Sequence, residues 1–122
     1  MKYLCLIYMD EKKLDALPAA ELNALNAAHL DYNDSLRTSG HFIEAEALEP
    51  VATTACIRFR NGKPTVTDGP FAETKEQLAG FYLVEARDLN EAIQIASKFP
   101  SAPLGRVEVR TARGLIVDGR TP

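Results

Sequence analysis

Apolar stretches along the chain predict the strands of a mixed α+β domain. Residues 3–9 are apolar at both odd and even positions, which is typical of a central strand covered on both faces. Residues 42–48 and 54–60 also predict strands, and the second of these alternates apolar and polar positions. Two further strands are predicted over 79–86 and over 105–111, where valines alternate with charged residues.

A longer repeat predicts a first helix over residues 18–39, after a polar loop at 10–17. Apolar and aromatic positions recur there at intervals of three and four residues, which places them on one stripe of a helix. Pro18 suits the first turn, and Gly40 suits the C-terminal cap. The predicted stripe consists of Leu22, Leu25, His29, Tyr32 and Leu36.

A second helix is predicted to begin at Asp88 and to stop before Pro100. The Asp88 carboxylate is suited to cap the first turn, and Glu91 follows three residues later, as in a capping box. The predicted buried face consists of Leu89, Ala92, Ile93, Ala96 and Phe99.

The remaining segments predict one hairpin and one extension. Asn61-Gly62 is a strong signal for a tight turn, from which a short strand at 64–67 returns. Residues 1–111 are expected to form the domain, and residues 112–122 a surface extension. Within that extension, the apolar run 115–117 leaves an added edge strand as an alternative.

The element order is that of a ferredoxin-like α+β sheet with one extra hairpin. Right-handed crossovers place both helices on the same face of the sheet. The other face stays bare, although strands 3–9 and 79–86 carry apolar side chains on both sides. Because monomers rarely expose so large an apolar surface, the pattern predicts a homodimer.

Composition narrows the partners. The 122 residues include 14 Lys and Arg against 17 Asp and Glu, with a net charge of -3, which disfavours nucleic acid as a partner. No apolar run reaches the roughly 20 residues that span a bilayer. Cys5 and Cys56 both lie in strand patterns without an export signal, which indicates reduced core thiols and a cytoplasmic protein.

One stretch, residues 67–82 (TDGPFAETKEQLAGFY), is more particular than a generic loop and strand. It resembles the signature of the DGPF-domain group within the YCII-related family, and residues 1–8, 88–92 and 107–110 resemble other segments of that family. The resemblance implies a dimeric α/β-barrel but no established reaction. Some relatives are proposed to be enzymes because a His and an Asp line a cleft in them. The DGPF group often occurs beside sigma factors of the extracytoplasmic-function class, which implies a regulatory link.

Asp68 and His29 are the candidate catalytic residues. Asp68-Gly69-Pro70-Phe71 combines a carboxylate with residues that rigidify a turn. Asp68 is therefore either a general base or ligand anchor at a pocket between helix and sheet, or part of a structural turn with Phe71 filling the core. His29 lies in the middle of the apolar stripe, where burial tunes its pKa. It is either a core histidine with one hydrogen bond or, if it meets Asp68, half of an acid–base pair. The resemblance also points to a histidine on the first helix.

Other side chains are candidate ligand contacts, each with a structural alternative. The aromatic ones could donate to a cavity or fill the core, and the charged ones could hold a ligand or form a solvated face. These candidates are Tyr8, Arg58, Phe71, Glu73, Lys75 and Tyr82. His41 is expected at the surface.

No residue spacing typical of a metal site, a phosphate-binding loop or a nucleophile elbow is present, so neither metal nor cofactor is expected. Three functions stay open. The chain is a small-molecule-binding domain with a sensory or regulatory role, a cofactor-free enzyme that uses His29 and Asp68 on a small polar metabolite, or an interaction module linked to a sigma factor.

Overall fold

The computed structural model describes residues 1–122 and contains a mixed α+β fold with antiparallel sheets, as predicted. Two one-turn 3₁₀ segments, Val51–Thr53 and Ala102–Leu104, complete the regular structure. The helices and strands, in chain order, are β1 (Lys2–Met9), α1 (Glu11–Asp15), α2 (Ala19–Thr38), β2 (Phe42–Ala47), β3 (Ala55–Arg60), β4 (Lys63–Asp68), β5 (Gln77–Glu85), α3 (Leu89–Ser97) and β6 (Gly105–Thr111).

The main sheet has four strands in the order β2-β5-β1-β6, and every neighbouring pair is antiparallel. This is the ferredoxin-like order, and β1 is central, as its two-sided apolar pattern predicted. Strands β3 and β4 form a separate hairpin. Its turn needs positive φ at both central residues, and Asn61 and Gly62 supply φ values of 52° and 74°.

Both long helices cover the same face of this sheet. Alternate residues of β1 and β5 point toward them and are buried, and residues of α2 and α3 belong to the same core. The predicted stripe of α2 faces inward along its whole length, with Leu36 the most deeply buried of its members. The fully buried apolar core consists of Tyr3, Cys5, Ile7, Met9, Leu36, Tyr82, Val84, Ala86, Ala92, Ile95, Ala96 and Phe99.

Caps fix where the long helices end. After α2, Gly40 adopts a φ of 80°, and the amides of Gly40 and His41 donate to the carbonyls of Arg37 and Leu36, which is a Schellman ending. At the start of α3, the Asp88 carboxylate accepts from the Glu91 amide at 2.9 Å. This bond is the largest cause that lowers the pKa of Asp88.

Two local predictions were wrong. Residues 10–17 are not all loop, because five of them form α1, which Asp10 caps by accepting from the Lys12 amide. A helix of about one turn is too short to show a repeat. On α3, Leu89 and Ile93 are each 46% exposed, whereas Ile95 is buried, because the inward stripe is turned slightly from the predicted one.

The extension also differs from the edge-strand alternative. Residues 112–122 are exposed throughout, and Val117 pairs only with Arg120 in a tight turn. No helix of the chain has both the length and the apolar character needed to cross a membrane.

The second face of the sheet carries an apolar stripe that the protein's own helices do not cover. Cross-strand neighbours on β1 and β5 form it, and all of them are partly exposed. Charged residues of β2 and β6 flank it on both sides, among them Glu46 and Glu108. The stripe, called the open face below, consists of Leu4, Leu6, Tyr8, Leu78, Phe81 and Leu83.

Gly105→Ala tests the tightest approach in the sheet. A Cβ at Gly105 would collide with the carbonyl oxygen of Tyr8, which is rigid strand backbone. Overpacking of this kind costs about 1–3 kcal/mol, so the free energy of unfolding in urea should fall by that amount. Gly114→Ala, where nothing lies within 4 Å, is the matched control and should change stability by less than about 0.5 kcal/mol. Equal stability of the two variants would contradict the packing described.

Candidate functional site

Three cavities of similar volume differ in their chemistry. One of about 450 Å³ between α3 and β6 is lined almost only by apolar side chains. Another, of about 430 Å³, has no apolar lining and contains Lys75 and Glu76. The third, of about 470 Å³, lies between α2 and the sheet and combines twelve hydrophobic residues with a small polar group around His29. Only this last cavity has the mostly apolar lining and few convergent polar groups typical of small-molecule sites. It is called the His29 pocket below.

His29 is held by hydrogen bonds at both ring nitrogens. Its Nδ1 lies 2.9 Å from the Tyr82 hydroxyl, and its Nε2 lies 3.0 Å from the Ser101 Oγ. Tyr82 in turn donates to the Oδ1 of Asn33 at 2.5 Å. These bonds connect α2, β5 and the segment that follows α3, so three separate parts of the chain meet at one imidazole.

The direction of these bonds defines the tautomer of His29. A tyrosine hydroxyl has one proton, and Tyr82 gives it to Asn33. Tyr82 must therefore accept from Nδ1–H of His29. The neutral ring then has a free lone pair on Nε2, and Ser101 donates its hydroxyl proton to that lone pair. Ser101, His29, Tyr82 and Asn33 therefore form a chain in which each residue donates a hydrogen bond to the next. This chain is called the Ser101 relay below.

Aromatic packing fixes the position of Tyr82 in the relay. The Tyr82 ring stacks on Phe99 with centroids 4.2 Å apart, and Tyr32 meets Phe99 edge to face at 5.7 Å. Tyr32 also donates to the carbonyl of Ile95 at 2.7 Å. Since offset stacks and edge contacts are favourable aromatic geometries, these rings hold the Tyr82 hydroxyl in place beneath α2.

Burial sets the charge state of the relay. Desolvation lowers the pKa of His29 below the ordinary value of 6.5, because a buried imidazolium loses its hydration. Burial likewise raises the pKa of Tyr82 to about 12. Both groups are therefore neutral at pH 7, and no lysine or arginine lines the pocket. The polar group around His29 is therefore uncharged at neutral pH, and the one charged residue of the lining is Glu46, which stands opposite Phe81 of the open face.

Asp68 lies apart from this hydrogen-bonded group. It is the last residue of β4, it is exposed, and it pairs with Ala55 across the hairpin. Neither nitrogen of His29 bonds to it, because Tyr82 and Ser101 occupy both. Gly69, with a φ of 93°, anchors the following turn by donating to the Thr54 carbonyl.

Phe71 does not fill the core, which corrects the structural alternative for its turn. Its side chain is 81% exposed, and the Arg58 guanidinium lies 5.7 Å from its ring centroid. The structure thus brings together two of the predicted ligand contacts, Arg58 and Phe71, on the hairpin side of the molecule. Neither lines the His29 pocket.

The other predicted contacts are spread over three surfaces. Tyr82 belongs to the His29 pocket. Tyr8 lies on the open face, with the Arg106 guanidinium 5.0 Å from its ring centroid, and burial is the first cause that raises its pKa. Lys75 lines the charged cavity, and Glu73 is exposed.

Sequence reasoning missed two members of the relay. Asn33 stands four residues after His29, so both lie on one side of α2, and this spacing was the available signal. Ser101 follows Pro100 in an irregular segment, and nothing in the local pattern marks it, although its side chain is only 3% exposed. Cys5 and Cys56 are both free thiols. Cys5 belongs to the core, as predicted, but Cys56 is partly exposed on the β3–β4 hairpin, outside the core. His41 is partly exposed, and its Nδ1 lies 2.8 Å from the Glu85 carbonyl oxygen.

No group of three or more His, Cys, Asp or Glu side chains lies together in a way that could hold a metal ion.

The fold and the pocket define a ferredoxin-like α+β domain with a mostly apolar cavity between helix and sheet and an uncharged polar group at His29. The chain belongs to the YCII-related domain family, whose model matches residues 1–114. It is also 36% identical over 116 residues to an uncharacterised protein of Rhizobium meliloti (strain 1021), a match that covers 90% of each chain. These similarities support the predicted family and bring no assigned reaction.

The lowered pKa of His29 predicts acid-sensitive stability. Because folded His29 binds its proton less tightly than the unfolded chain does, the unfolded state holds more protons once the pH falls below about 6.5, and stability declines there. Thermal unfolding of the wild type should therefore shift to lower temperature between pH 7.5 and pH 5.5. His29→Gln should show a smaller shift, whereas His41→Gln leaves His29 in place and should keep the wild-type shift. Identical pH profiles for His29→Gln and the wild type would contradict this origin.

Proposed function

We propose that this chain is a small-molecule-binding domain whose ligand occupies the His29 pocket. The observation that carries the proposal is the composition of that pocket, in which an apolar lining surrounds one group of oriented polar atoms. Apolar walls supply affinity, and a few placed donors and acceptors supply orientation. A sensory or regulatory role in the cytoplasm fits a domain of this size, and it agrees with the sigma-factor link that the resemblance to the DGPF group implies.

The charge of the pocket disfavours an anionic ligand, because Glu46 is the one charged residue of its lining. An anionic ligand would find no lysine or arginine among the lining residues, and a buried charge without a partner is costly. A neutral molecule with an apolar body and one carbonyl or hydroxyl group matches both parts of the lining. The polar end would then lie against the Ser101 relay.

We further propose that the working form is a homodimer of the domain formed by residues 1–111, with residues 112–122 as an extension. The open face and the β3–β4 hairpin both support this proposal. Isolated two-stranded hairpins are marginally stable, yet this one leaves large side chains in solvent, and a second copy would cover them. The exposed fractions are 65% for Ile57, 72% for Phe59 and 62% for Val66.

Interaction with a different protein is the second candidate function. The apolar cavity between α3 and β6, with the exposed Leu89 and Ile93 on its wall, favours it. Such a surface would suit an apolar side chain of a partner such as a sigma factor. The His29–Asp68 enzyme has less support, because Asp68 lies outside the His29 pocket.

Leu6→Glu tests the dimer. A carboxylate in the middle of the open face would be buried without a partner in the dimer, so sedimentation velocity at micromolar concentration should show a shift from dimer to monomer. Leu89→Glu places the same charge on the helix side of the molecule and should leave the dimer intact. A wild type that sediments as a monomer would contradict the proposed assembly.

Ala47→Trp tests the pocket. Ala47 ends β2 and lines the cavity, so an indole there should block it. A thermal-shift screen of small neutral esters, amides, ketones and alcohols should identify compounds that stabilise the wild type and not this variant. Ala20→Trp, on the exposed side of α2, and Asp68→Asn should both retain the response. Stabilisation that survives in Ala47→Trp, or is lost in Asp68→Asn, would place the ligand elsewhere.

A further inference from the structure

The Ser101 relay has the arrangement that activates a serine. Ser101 Oγ lies 3.0 Å from Nε2 of His29, and the relay fixes that nitrogen as the proton acceptor. In hydrolases that use a serine nucleophile, a base takes the hydroxyl proton and a third group orients the base. Tyr82 orients His29 in this chain, and Asn33 orients Tyr82.

The surroundings of Ser101 distinguish it from the other serines. It is the only buried polar or charged residue of the fully buried set, with 3% of its surface exposed, and its side chain lines the His29 pocket. Ser97, by comparison, is exposed and donates to the Ile93 carbonyl of its own helix. Ser101 thus combines a fixed base with access to a cavity that could hold a substrate.

Asn26 is the candidate donor for a developing oxyanion. Asn26 lies one turn before His29 on α2 and lines the same pocket. The side-chain amide of Asn26 makes no hydrogen bond within the protein, so its N–H groups are available to a ligand. A side-chain amide is among the groups that stabilise oxyanions in acyl transfer.

We propose that Ser101 is a nucleophile for acyl transfer and that the chain hydrolyses small, uncharged carboxylic esters in the His29 pocket. This inference rests on the proposed binding of a neutral ligand there. The pocket accepts an apolar acyl chain, and the relay faces the carbonyl carbon.

The reaction needs only water as a co-reactant. Ser101 Oγ bonds to the carbonyl carbon while its proton passes to Nε2 of His29. The bond from that carbon to the alcohol oxygen then breaks, and the Nε2 proton passes to the leaving alcohol. Water next attacks the acyl-Ser101 ester, gives a proton to Nε2, and releases the carboxylic acid as that proton returns to Ser101 Oγ.

Two roles follow for the remaining relay residues. His29 acts directly as general base and acid, whereas Tyr82 and Asn33 are positioning residues that hold Nδ1–H in place. The relay ends on an amide and not on a carboxylate, so the imidazolium formed during the reaction gains no charge partner. Turnover should therefore be slower than in a serine–histidine–aspartate hydrolase, where the carboxylate stabilises that cation.

The full chain should be treated with diisopropyl fluorophosphate, which forms a stable phosphoester with an activated serine as fluoride leaves. Intact mass should show one adduct per chain, and peptide mapping should place it on Ser101. Ser101→Ala should abolish the adduct, and Ser97→Ala should label like the wild type. His29→Gln should slow labelling by about 100-fold or more, since it removes the general base. Labelling of another residue, or labelling that His29→Gln leaves unchanged, would overturn the proposal.

Hydrolysis of 4-nitrophenyl butyrate measures turnover. Activity should vanish in Ser101→Ala and fall by about 100-fold in Asn26→Ala, the loss typical for one oxyanion donor. Ser101→Cys keeps a nucleophile of similar size, so it should still form an acyl adduct, visible by mass, even if the alanine variant unfolds. Hydrolysis that persists in folded Ser101→Ala, or no Ser101-dependent hydrolysis by the wild type, would refute the proposal.

The amide N-(4-nitrophenyl)butanamide separates this proposal from the binding function. If the amide stabilises the wild type and not Ala47→Trp while Ser101 stays unreactive, the pocket binds ligands and the nucleophile assignment is wrong. Both proposals fail if neither the amide nor any compound of the neutral screen stabilises the wild type against heat and Ser101 is not labelled.

Discussion

A buried hydroxyl must keep its hydrogen bonds, and the Tyr82 hydroxyl imposes that requirement on the centre of this fold. Tyr82 is 4% exposed and stacks on Phe99, so its oxygen lies where an unpaired polar atom would be costly. Its partners, Asn33 and His29, come from α2, and His29 continues the chain to Ser101. The same bonds therefore set the helix against the sheet and orient the imidazole, which links packing to chemistry.

The sequence predicted the parts of the fold that repeat. The two-sided apolar pattern of residues 3–9 identified the central strand, and the stripe through His29 identified the inward side of α2. Short or irregular parts were harder. One turn of α1 is too brief to show a period, and a small rotation of α3 moved Ile95 inward and Ile93 outward. Local pattern defines a helix more firmly than its rotation, because neighbouring elements decide the final contact.

The site was only half visible for a related reason. His29 and Tyr82 stood out because each carries a polar atom within an apolar pattern, but no sequence spacing joins residues 29, 82 and 101. Tertiary folding brings them together across separations of 53 and 72 residues. Asp68 attracted attention through its turn chemistry, and that turn belongs to a hairpin outside the main sheet. A motif conspicuous in sequence and a pocket built in space need not coincide.

The separate pairing of β3 with β4 has a consequence for how the molecule opens. The hairpin forms no hydrogen-bonded ladder with the four-stranded sheet. In a single copy of the chain, the hairpin could therefore open and expose its amides without disturbing the core. Its opening is a local event with its own small free energy. In native-state hydrogen exchange this segment would form the least protected cooperative unit. Its protection would rise if another protein surface packed against it.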